Sequence, residues 1–262
     1  MMNGKFGIEL ECFGVSRTIV VHAFQAAGLA VMNASYCGRD YDVWQIKTDG
    51  SIQGVDGFEV VSPVLNGEAG IAEARKACEI LVNLNAQVNK SCGFHIHHNA
   101  ANWNIAQFKN LFKRFAKYEN AMDSIQPTSR RINRFCKSNV LSMGISKTFA
   151  KIEACGSVAE LSRFYGDDRY FKLNLQSFFR MGSVEFRNHA GTVDANKVEN
   201  YIRLTYGFVQ AAINCKPVTK PTADNSSATL MALLKYMVAS KAITPAMASF
   251  YQARQAKFAE VA

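Results

Sequence analysis

The spacing of hydrophobic and polar residues along the chain predicts several short β-strands. In these stretches polar and apolar residues alternate, or an apolar run stands between turn-forming residues. The stretch from Lys5 to Cys12 shows the alternation best, because Glu9 and Glu11 interleave with Ile8 and Leu10. The predicted strands are residues 5–12, 43–47, 58–61, 93–98, 170–175 and 183–188.

Helices are predicted where apolar residues recur every three or four positions behind a start signal. The start signals are Ser16, Asn104 with Gln107, Ser157 with Glu160, and Thr244 with Pro245. The predicted helices are residues 17–27, 70–85, 105–122, 158–164, 194–213, 227–240 and 245–260. Residues 124–150 show no clear period, and we expect a long loop with one helical turn there.

The order of these elements predicts an α+β fold. Several strands follow one another closely, which favours a mainly antiparallel or mixed sheet over a doubly wound parallel one. The sequence contains neither GxGxxG nor GxxxxGK[ST], so a Rossmann or P-loop nucleotide site is not expected. A proline-containing segment at 216–221 resembles a linker, and we expect a catalytic domain at 1–221 and a small helical appendage at 222–262.

Composition is that of an ordinary globular protein, with 48% hydrophobic and 19% charged residues. No apolar run reaches the length of a membrane span, and the N-terminus lacks a signal peptide's features, so we expect no membrane association and a cytoplasmic location. The seven cysteines are irregularly spaced without a CxxC pair. We expect them to be reduced and mostly buried rather than a disulfide framework or zinc knuckle.

Pairs of polar residues two positions apart recur on the predicted strands. Because side chains alternate along a strand, each pair faces one side of the sheet. The pairs are Glu9 with Glu11, His95 with His97, Lys172 with Asn174, and Glu185 with Arg187, and Glu59 adds a lone carboxylate. Several carboxylates together suit Mg²⁺ or Mn²⁺, and cations beside a metal neutralise phosphate.

Simpler interpretations of these residues stay open. Glu9 and Glu11 are also compatible with two solvated side chains on an edge strand. His95 and His97 with a distant carboxylate are also compatible with a zinc site.

Charge is unevenly distributed along the chain. Residues 1–68 hold four basic and eight acidic side chains, whereas residues 109–172 hold thirteen basic and six acidic ones. An acidic region with a basic one is typical of a metal-and-phosphate site, and it is also compatible with a nucleic-acid-binding face in the basic middle region.

Six short motifs, taken in order, resemble those of the amidoligase family of carboxylate–amine ligases. This family is related to glutamate–cysteine ligase and, more distantly, to glutamine synthetase. The matching motifs are GIELE at 7–11, DGS at 49–51, EVVSP at 59–63, CGFHIH at 92–97, EFR at 185–187 and GT at 191–192. Together they span about residues 5–210.

The resemblance implies a mainly antiparallel, curved β-sheet with helices on its outer face and an open, funnel-like active site, as in the glutamine synthetase catalytic domain. It also implies ATP, Mg²⁺ and an acyl-phosphate intermediate that an amine attacks. Carried over, the metal ligands are Glu9, Glu11, Glu59, His95 and Glu185, the phosphate contact is Arg187, and the substrate-positioning turn holds Asp49 and Ser51. Candidates for the nucleotide phosphates are Arg130, Arg131, Arg134 and Lys172.

The resemblance leaves the proton acceptor, the substrates and the partners open. His97 or a carboxylate would take the proton of the attacking amine. The acid and the amine are unspecified, and either one could be part of a macromolecule. The C-terminal appendage lies outside the resemblance, and oligomerisation or docking of a partner is the expectation for it.

Two alternatives use the same residues differently. A metal-dependent hydrolase or nuclease would use the carboxylates and histidines without ATP. A nucleic-acid-binding protein would use the basic middle region, with binding that weakens steeply as salt is added.

Overall fold

The computed structural model describes residues 2–34, 42–219, 221 and 228–260. The chain divides into two compact units, Met1–Asn99 with His189–Ile202, and Ala100–Asn188 with Arg203–Ala262. The domain boundary predicted between residues 221 and 222 borders a segment outside the described residues, and it stays a prediction.

The first unit is organised around a mainly antiparallel sheet. Its elements in chain order are β1 (Lys5–Cys12), α1 (Arg17–Ala26), β2 (Val31–Ala34), β3 (Trp44–Thr48), β4 (Phe58–Val61), β5 (Leu65–Asn66), α2 (Gly67–Asn83) and β6 (Gly93–Asn99). Strand β1 lies between β4 and β6 and is antiparallel to both, and β3 continues the sheet beyond β4. Strand β2 joins β3 in parallel, and β5 pairs with the start of β1. The predicted α+β class with a mainly antiparallel sheet is therefore confirmed.

Alternation along the strands produces the core of this unit. Ile8, Leu10, Phe94 and Ile96 have almost no exposed surface, and their period of two places them on one face of the sheet. Full burial of each such side chain contributes about 1.5–3 kcal/mol. Glu9, Glu11, His95 and His97, at the alternate positions of β1 and β6, must then lie on the opposite face.

Helix α1 begins where the sequence predicts, because the hydroxyl of Ser16 accepts a hydrogen bond from the backbone N–H of Ile19. Phe24 of this helix packs edge-on against Trp44 of β3, with ring centroids 5.6 Å apart. The Trp44 indole donates a hydrogen bond to Glu73 of α2. These contacts hold both helices near β3.

The second unit is mainly helical. Its elements in chain order are α3 (Ile105–Ser124), α4 (Thr128–Arg131), α5 (Ile145–Ala154), α6 (Val158–Phe164), β7 (Leu173–Asn174), α7 (Gln176–Met181), β8 (Ser183–Ala190), α8 (Ala195–Asn214), α9 (Leu230–Ala239) and α10 (Pro245–Ala259). The last residues of β8 and the first part of α8 belong to the first unit. The predicted capping box of Asn104 and Gln107 at the start of α3 is confirmed.

Aromatic packing joins the elements of the second unit. Phe115 of α3 lies 5.9 Å from Phe186 of β8 and 6.1 Å from Phe208 of α8, measured between ring centroids. The C-terminal helices belong to the same unit, since Arg254 of α10 donates a hydrogen bond to the carbonyl of Ile125 at the end of α3.

Several local features differ from the sequence-based expectations, among them α7 and β5, which the sequence analysis does not include. The strand predicted at 170–175 is reduced to Leu173–Asn174, because the backbone before it pairs with a loop around Lys137. The region 124–150 contains α4 and most of α5 rather than one helical turn. The short edge strand β2 is not predicted, since apolar Met32 and polar Asn33 both face solvent and the four residues do not alternate.

Of the cysteines in the described residues, all are free, and most are buried as expected. Cys37 lies outside those residues. Within the described helices, none is both long and apolar enough to cross a bilayer.

Candidate functional site

The polar face of the first unit's sheet brings together residues from four adjacent strands. Glu11 of β1 lies directly opposite Glu59 of β4, and Glu59 lies opposite Lys47 of β3. On the other side of β1, Glu9 lies opposite His95 of β6. Antiparallel partners on one face are close enough to interact directly. The register therefore builds two neighbouring rows of ionisable side chains, one of Lys47, Glu59 and Glu11 and one of Glu9 and His95.

Glu9 contacts both predicted histidines. One carboxylate oxygen, Oε2, lies 3.1 Å from Nδ1 of His95, and the other, Oε1, lies 3.1 Å from Nε2 of His97. Burial would raise the pKa of Glu9, but the two imidazoles more than offset it and hold the pKa of this carboxyl well below its usual range. Glu9 is therefore an ionised carboxylate oriented on both sides.

Glu11 is fixed by backbone as well as by its neighbours. Its Oε2 accepts a hydrogen bond of 2.5 Å from the backbone N–H of Gly93, and its Oε1 lies 3.7 Å from Nε2 of His95. The Cys92 carbonyl, in the same peptide group as the Gly93 N–H, accepts a hydrogen bond from the N–H of Gly191 at 2.9 Å. The Cys92–Gly93 peptide is thus held at both polar atoms, one of which orients Glu11.

Glu59 belongs to two overlapping groups of possible metal ligands. In one group its carboxylate meets Glu9 and His95, and in the other it meets Glu11 and Asp49. In each group one ligand atom from every residue lies within 4.8 Å of the others. Carboxylate oxygens from several residues around one point suit a hard divalent cation such as Mg²⁺ or Mn²⁺.

Electrostatics at Glu59 agree with such a cation site. Burial raises the pKa of this carboxyl well above its usual value, and the negative charges of Glu9, Glu11 and Asp49 raise it further. Lys47 opposes this effect without reversing it. A cation placed among these carboxylates would relieve the repulsion, so the donor set fits a divalent metal.

Asp49 lies among the possible metal ligands, a position that the sequence did not predict. It lies in the turn after β3, where its Oδ1 accepts a hydrogen bond from the N–H of Ser51. The resemblance gave this turn a part in substrate positioning, whereas the geometry adds Asp49 to the ligand group of Glu11 and Glu59. Spacing along a strand could not predict this, because Asp49 lies outside one.

Glu185 and Arg187 form an ion pair in the second unit. The Arg187 guanidinium donates to Oε1 of Glu185, and Asn174 of β7 donates to Oε2 at 2.6 Å. Glu185 is buried, and the Arg187 side chain is 13% exposed. Metal ligation by Glu185 and phosphate contact by Arg187 stay predictions.

The structure separates the four nucleotide-phosphate candidates by environment. Arg130 is buried, donates to the backbone carbonyl of Arg187, and has an Nε without a hydrogen-bond partner among the described residues. Arg131 donates to the carbonyls of Gln126 and Phe258, and Arg134 is exposed above the ring of Phe135. Lys172 is 1% exposed and lies 2.9 Å from Glu119 and 2.6 Å from Asp123. Their contact with nucleotide stays a prediction.

Comparison with known proteins finds solved structures that resemble this chain and a family model that matches it. The chain resembles the crystal structure of a bifunctional glutathione synthetase from Pasteurella multocida, with a TM-score of 0.44 and 15% identity. The alignment covers 98% of this chain and 47% of that chain, so this chain spans about half the length of that protein.

No curated protein matches the sequence. A family model described as "Putative amidoligase enzyme" matches residues 2–209, which contain all the predicted site residues. The chain therefore belongs to the amidoligase family.

Proposed function

We propose that this protein is an ATP- and Mg²⁺-dependent carboxylate–amine ligase that forms an amide bond through an acyl phosphate. Family membership supports an amide-forming ligase in general. The observation that carries the finer proposal is the pair of overlapping ligand groups joined by Glu59. In this proposal the polar sheet face is the floor of a glutamine synthetase-like, funnel-shaped site in a cytoplasmic enzyme.

The charge of this sheet face supports a use of divalent cations. Glu9, Glu11, Asp49 and Glu59 meet on it, and Lys47 is a cation that partly offsets their effect on the pKa of Glu59. Bound Mg²⁺ would neutralise this charge and supply electrostatic stabilisation to the phosphates of ATP. Glu9, Glu11, Asp49, Glu59 and His95 would hold it, and Mn²⁺ has compatible ligand preferences.

The reaction has two steps. A carboxylate oxygen of the acid attacks the γ-phosphorus of ATP, the bond to the bridging oxygen breaks, and ADP leaves. The amine nitrogen then attacks the acyl carbon, the C–O bond to phosphate breaks, and the nitrogen loses a proton as the amide forms. His97 is the proposed proton acceptor, oriented by Glu9, and Arg187 is the proposed contact for the phosphoryl group.

Hydroxylamine tests the acyl phosphate without knowledge of the amine. A panel of amino acids, peptides and di- or polycarboxylates is incubated with ATP, Mg²⁺ and hydroxylamine, and hydroxamate and ADP are measured. An acid labelled with ¹⁸O should transfer one labelled oxygen to inorganic phosphate, because its oxygen becomes the bridge to phosphorus.

Glu9→Gln should abolish turnover of an acid found in this way, since the neutral amide loses the ionised ligand. Glu79→Gln, a surface carboxylate on α2, makes the same charge change and should keep activity. Full turnover in Glu9→Gln, or ADP release without ¹⁸O transfer, would refute the proposed chemistry.

One observation favours the hydrolase alternative. His95 and His97 both contact Glu9, and imidazole and carboxylate are ligand types that zinc also accepts. Nucleotide binding distinguishes the ligase from the hydrolase, because a hydrolase would cleave its substrate without ATP. Calorimetry with a non-hydrolysable ATP analogue and Mg²⁺ should show binding for the ligase and none for the hydrolase.

A further inference from the structure

Two tripeptides of the second unit share one sequence pattern and one geometry. Each consists of Asn or Asp, then arginine, then an aromatic residue, namely Asn133-Arg134-Phe135 and Asp168-Arg169-Tyr170. In each, Oδ1 of the first residue accepts a hydrogen bond from the backbone N–H of the third, at 2.7 and 2.8 Å. These hydrogen bonds fix two tight turns, so the arginine and the ring have defined positions.

Within each turn the guanidinium lies over the following ring. Arg134 is 4.5 Å from the ring centroid of Phe135, and Arg169 is 5.1 Å from that of Tyr170. Both distances are typical of a cation–π interaction. A third guanidinium, that of Arg187, lies 5.9 Å from the Tyr170 centroid.

The two turns are also joined to each other. The rings of Phe135 and Tyr170 meet edge-on with centroids 5.5 Å apart. Lys137, just after the first turn, donates its backbone N–H to the carbonyl of Tyr170 and pairs its ammonium with Asp168. We call Arg134, Phe135, Arg169 and Tyr170 the arginine–aromatic platform. Its geometry is held by backbone hydrogen bonds and does not depend on long, mobile side chains alone.

The platform is accessible, and its first turn lies in a basic stretch of the chain. Arg134 and Arg169 are exposed, and the two rings are half-buried. Residues 127–138 contain four cations, Arg130, Arg131, Arg134 and Lys137, and no acidic residue. Ile132, one residue before the first turn, is 94% exposed and adds apolar surface.

We infer that the arginine–aromatic platform binds single-stranded nucleic acid. Bases stack on aromatic rings and on guanidinium planes, and phosphates are attracted to arginine, so this surface matches both parts of a nucleotide chain. An acidic peptide would use the cations and leave the rings without a role, and a duplex would keep its bases stacked inside. The inference rests on the geometry of this surface and not on the metal site, and it gives Arg134 a second role beside the predicted contact with the phosphates of ATP.

The test measures anisotropy of a fluorescein-labelled oligouridylate with the full chain, without ATP or Mg²⁺. Binding should weaken steeply between about 50 and 200 mM salt, because phosphate contacts release counterions. An abasic strand of equal length keeps the phosphates and loses the bases, so its affinity should fall about tenfold or more relative to the oligouridylate.

Paired variants locate the binding. Phe135→Leu and Tyr170→Leu should each weaken binding about tenfold, whereas Phe179→Leu removes an exposed ring on α7 and should change nothing. Arg134→Gln should weaken binding more than Arg180→Gln, an equal loss of charge at another exposed site. Glu9→Gln should bind the oligouridylate like the unmodified protein. The binding result can therefore be interpreted even if the ligase proposal fails.

Photo-crosslinking of the unmodified chain to a thiouridine-containing strand locates the binding site without any variant, so the result does not depend on whether a variant folds. Crosslinked peptides should contain residues 133–137 or 168–172. Four results would overturn the inference. They are no binding of the oligouridylate at low salt, an affinity for the abasic strand equal to that for the oligouridylate, displacement by polyglutamate as effective as displacement by unlabelled oligouridylate, and displacement by ATP at low concentration. Displacement by ATP would make the platform a nucleotide site instead.

Discussion

Glu11 and Glu59 lie directly opposite each other on neighbouring antiparallel strands of one sheet. Like charges in this position repel each other, and a sheet normally avoids them. The backbone N–H of Gly93 holds Glu11 in place, and the field of Glu11 adds to burial in raising the pKa of Glu59. Such a pair lowers the stability of the metal-free protein and creates affinity for a divalent cation.

Glu59→Gln should therefore stabilise the metal-free protein and remove its response to Mg²⁺. A carboxyl whose pKa is raised by folding contributes stability at low pH and loses it as pH rises through the raised value, so glutamine avoids this loss at neutral pH. Thermal unfolding with EDTA should give a higher Tm for the variant. Saturating Mg²⁺ should stabilise only the unmodified protein, by about 2.7 kcal/mol at a hundredfold excess over Kd.

Glu79→Gln is the matched control for this experiment, because it neutralises a surface carboxylate of the same unit and should leave both melting curves unchanged. An Mg²⁺-induced rise in Tm of equal size in Glu59→Gln would show that Glu59 is not a ligand.

Gly191→Ala should weaken Mg²⁺ binding although Gly191 contributes no ligand. A Cβ at this position would lie 2.5 Å from the Cβ of Cys92 and 3.1 Å from its backbone, so the Cys92–Gly93 peptide must shift. That shift would disturb the N–H that orients Glu11. We expect a loss of about 1–3 kcal/mol in the free energy of unfolding and a weaker Mg²⁺ affinity by calorimetry.

Gly156→Ala provides the comparison, since its Cβ would make only an ordinary contact with Glu160. If Gly191→Ala lost stability but kept the Mg²⁺ affinity of the unmodified protein, the peptide would be structural and would not position Glu11.

The sequence predicted what depends on neighbouring residues in the chain. Strand β1, the cap at Ser16 and the capping box at Asn104 follow from local periodicity and hydrogen-bonding chemistry, and all three are present. The same alternation placed Glu9, Glu11, His95 and His97 on one sheet face.

Features that depend on pairing between distant segments could not be predicted. The ligand group with Asp49 requires the register of β3, β4 and β1 and the shape of the turn after β3. Lys172 pairs with Glu119 and Asp123, which are 53 and 49 positions away, and no spacing rule connects them. Buried ion pairs of this kind emerge only from the tertiary structure.

Lys172→Met should strongly destabilise the protein. The ammonium is 1% exposed between Glu119 and Asp123, and its removal leaves the buried carboxylate of Glu119 and the partly buried one of Asp123 without the ammonium that pairs with both. Loss of one partner of a buried pair costs about 3–5 kcal/mol. Urea unfolding measures this, with the exposed Lys235→Met as control. Adding Glu119→Gln to Lys172→Met should recover part of the lost stability.

If Lys172→Met left stability unchanged and raised the KM for ATP, the result would instead support the predicted contact of Lys172 with nucleotide.

Asp123→Asn should change how stability depends on pH. Burial and, to a smaller extent, the charge of Glu119 raise the pKa of Asp123 to about 6, despite the opposing effect of Lys172. The folded pKa lies above the unfolded value of about 3.9, so Asp123 contributes stability at pH 4 that is lost as pH rises through 6. Asparagine has no proton to lose. The free energy of unfolding of the unmodified protein should therefore fall, relative to that of the variant, by about 1–3 kcal/mol between pH 4 and 7.5.

Urea unfolding of both proteins across this range measures the difference in their free energies of unfolding, and the contributions of the other titrating groups cancel in it. A difference that stays constant with pH, or that grows in favour of the unmodified protein above pH 6, would show that the ion pair with Lys172 outweighs burial.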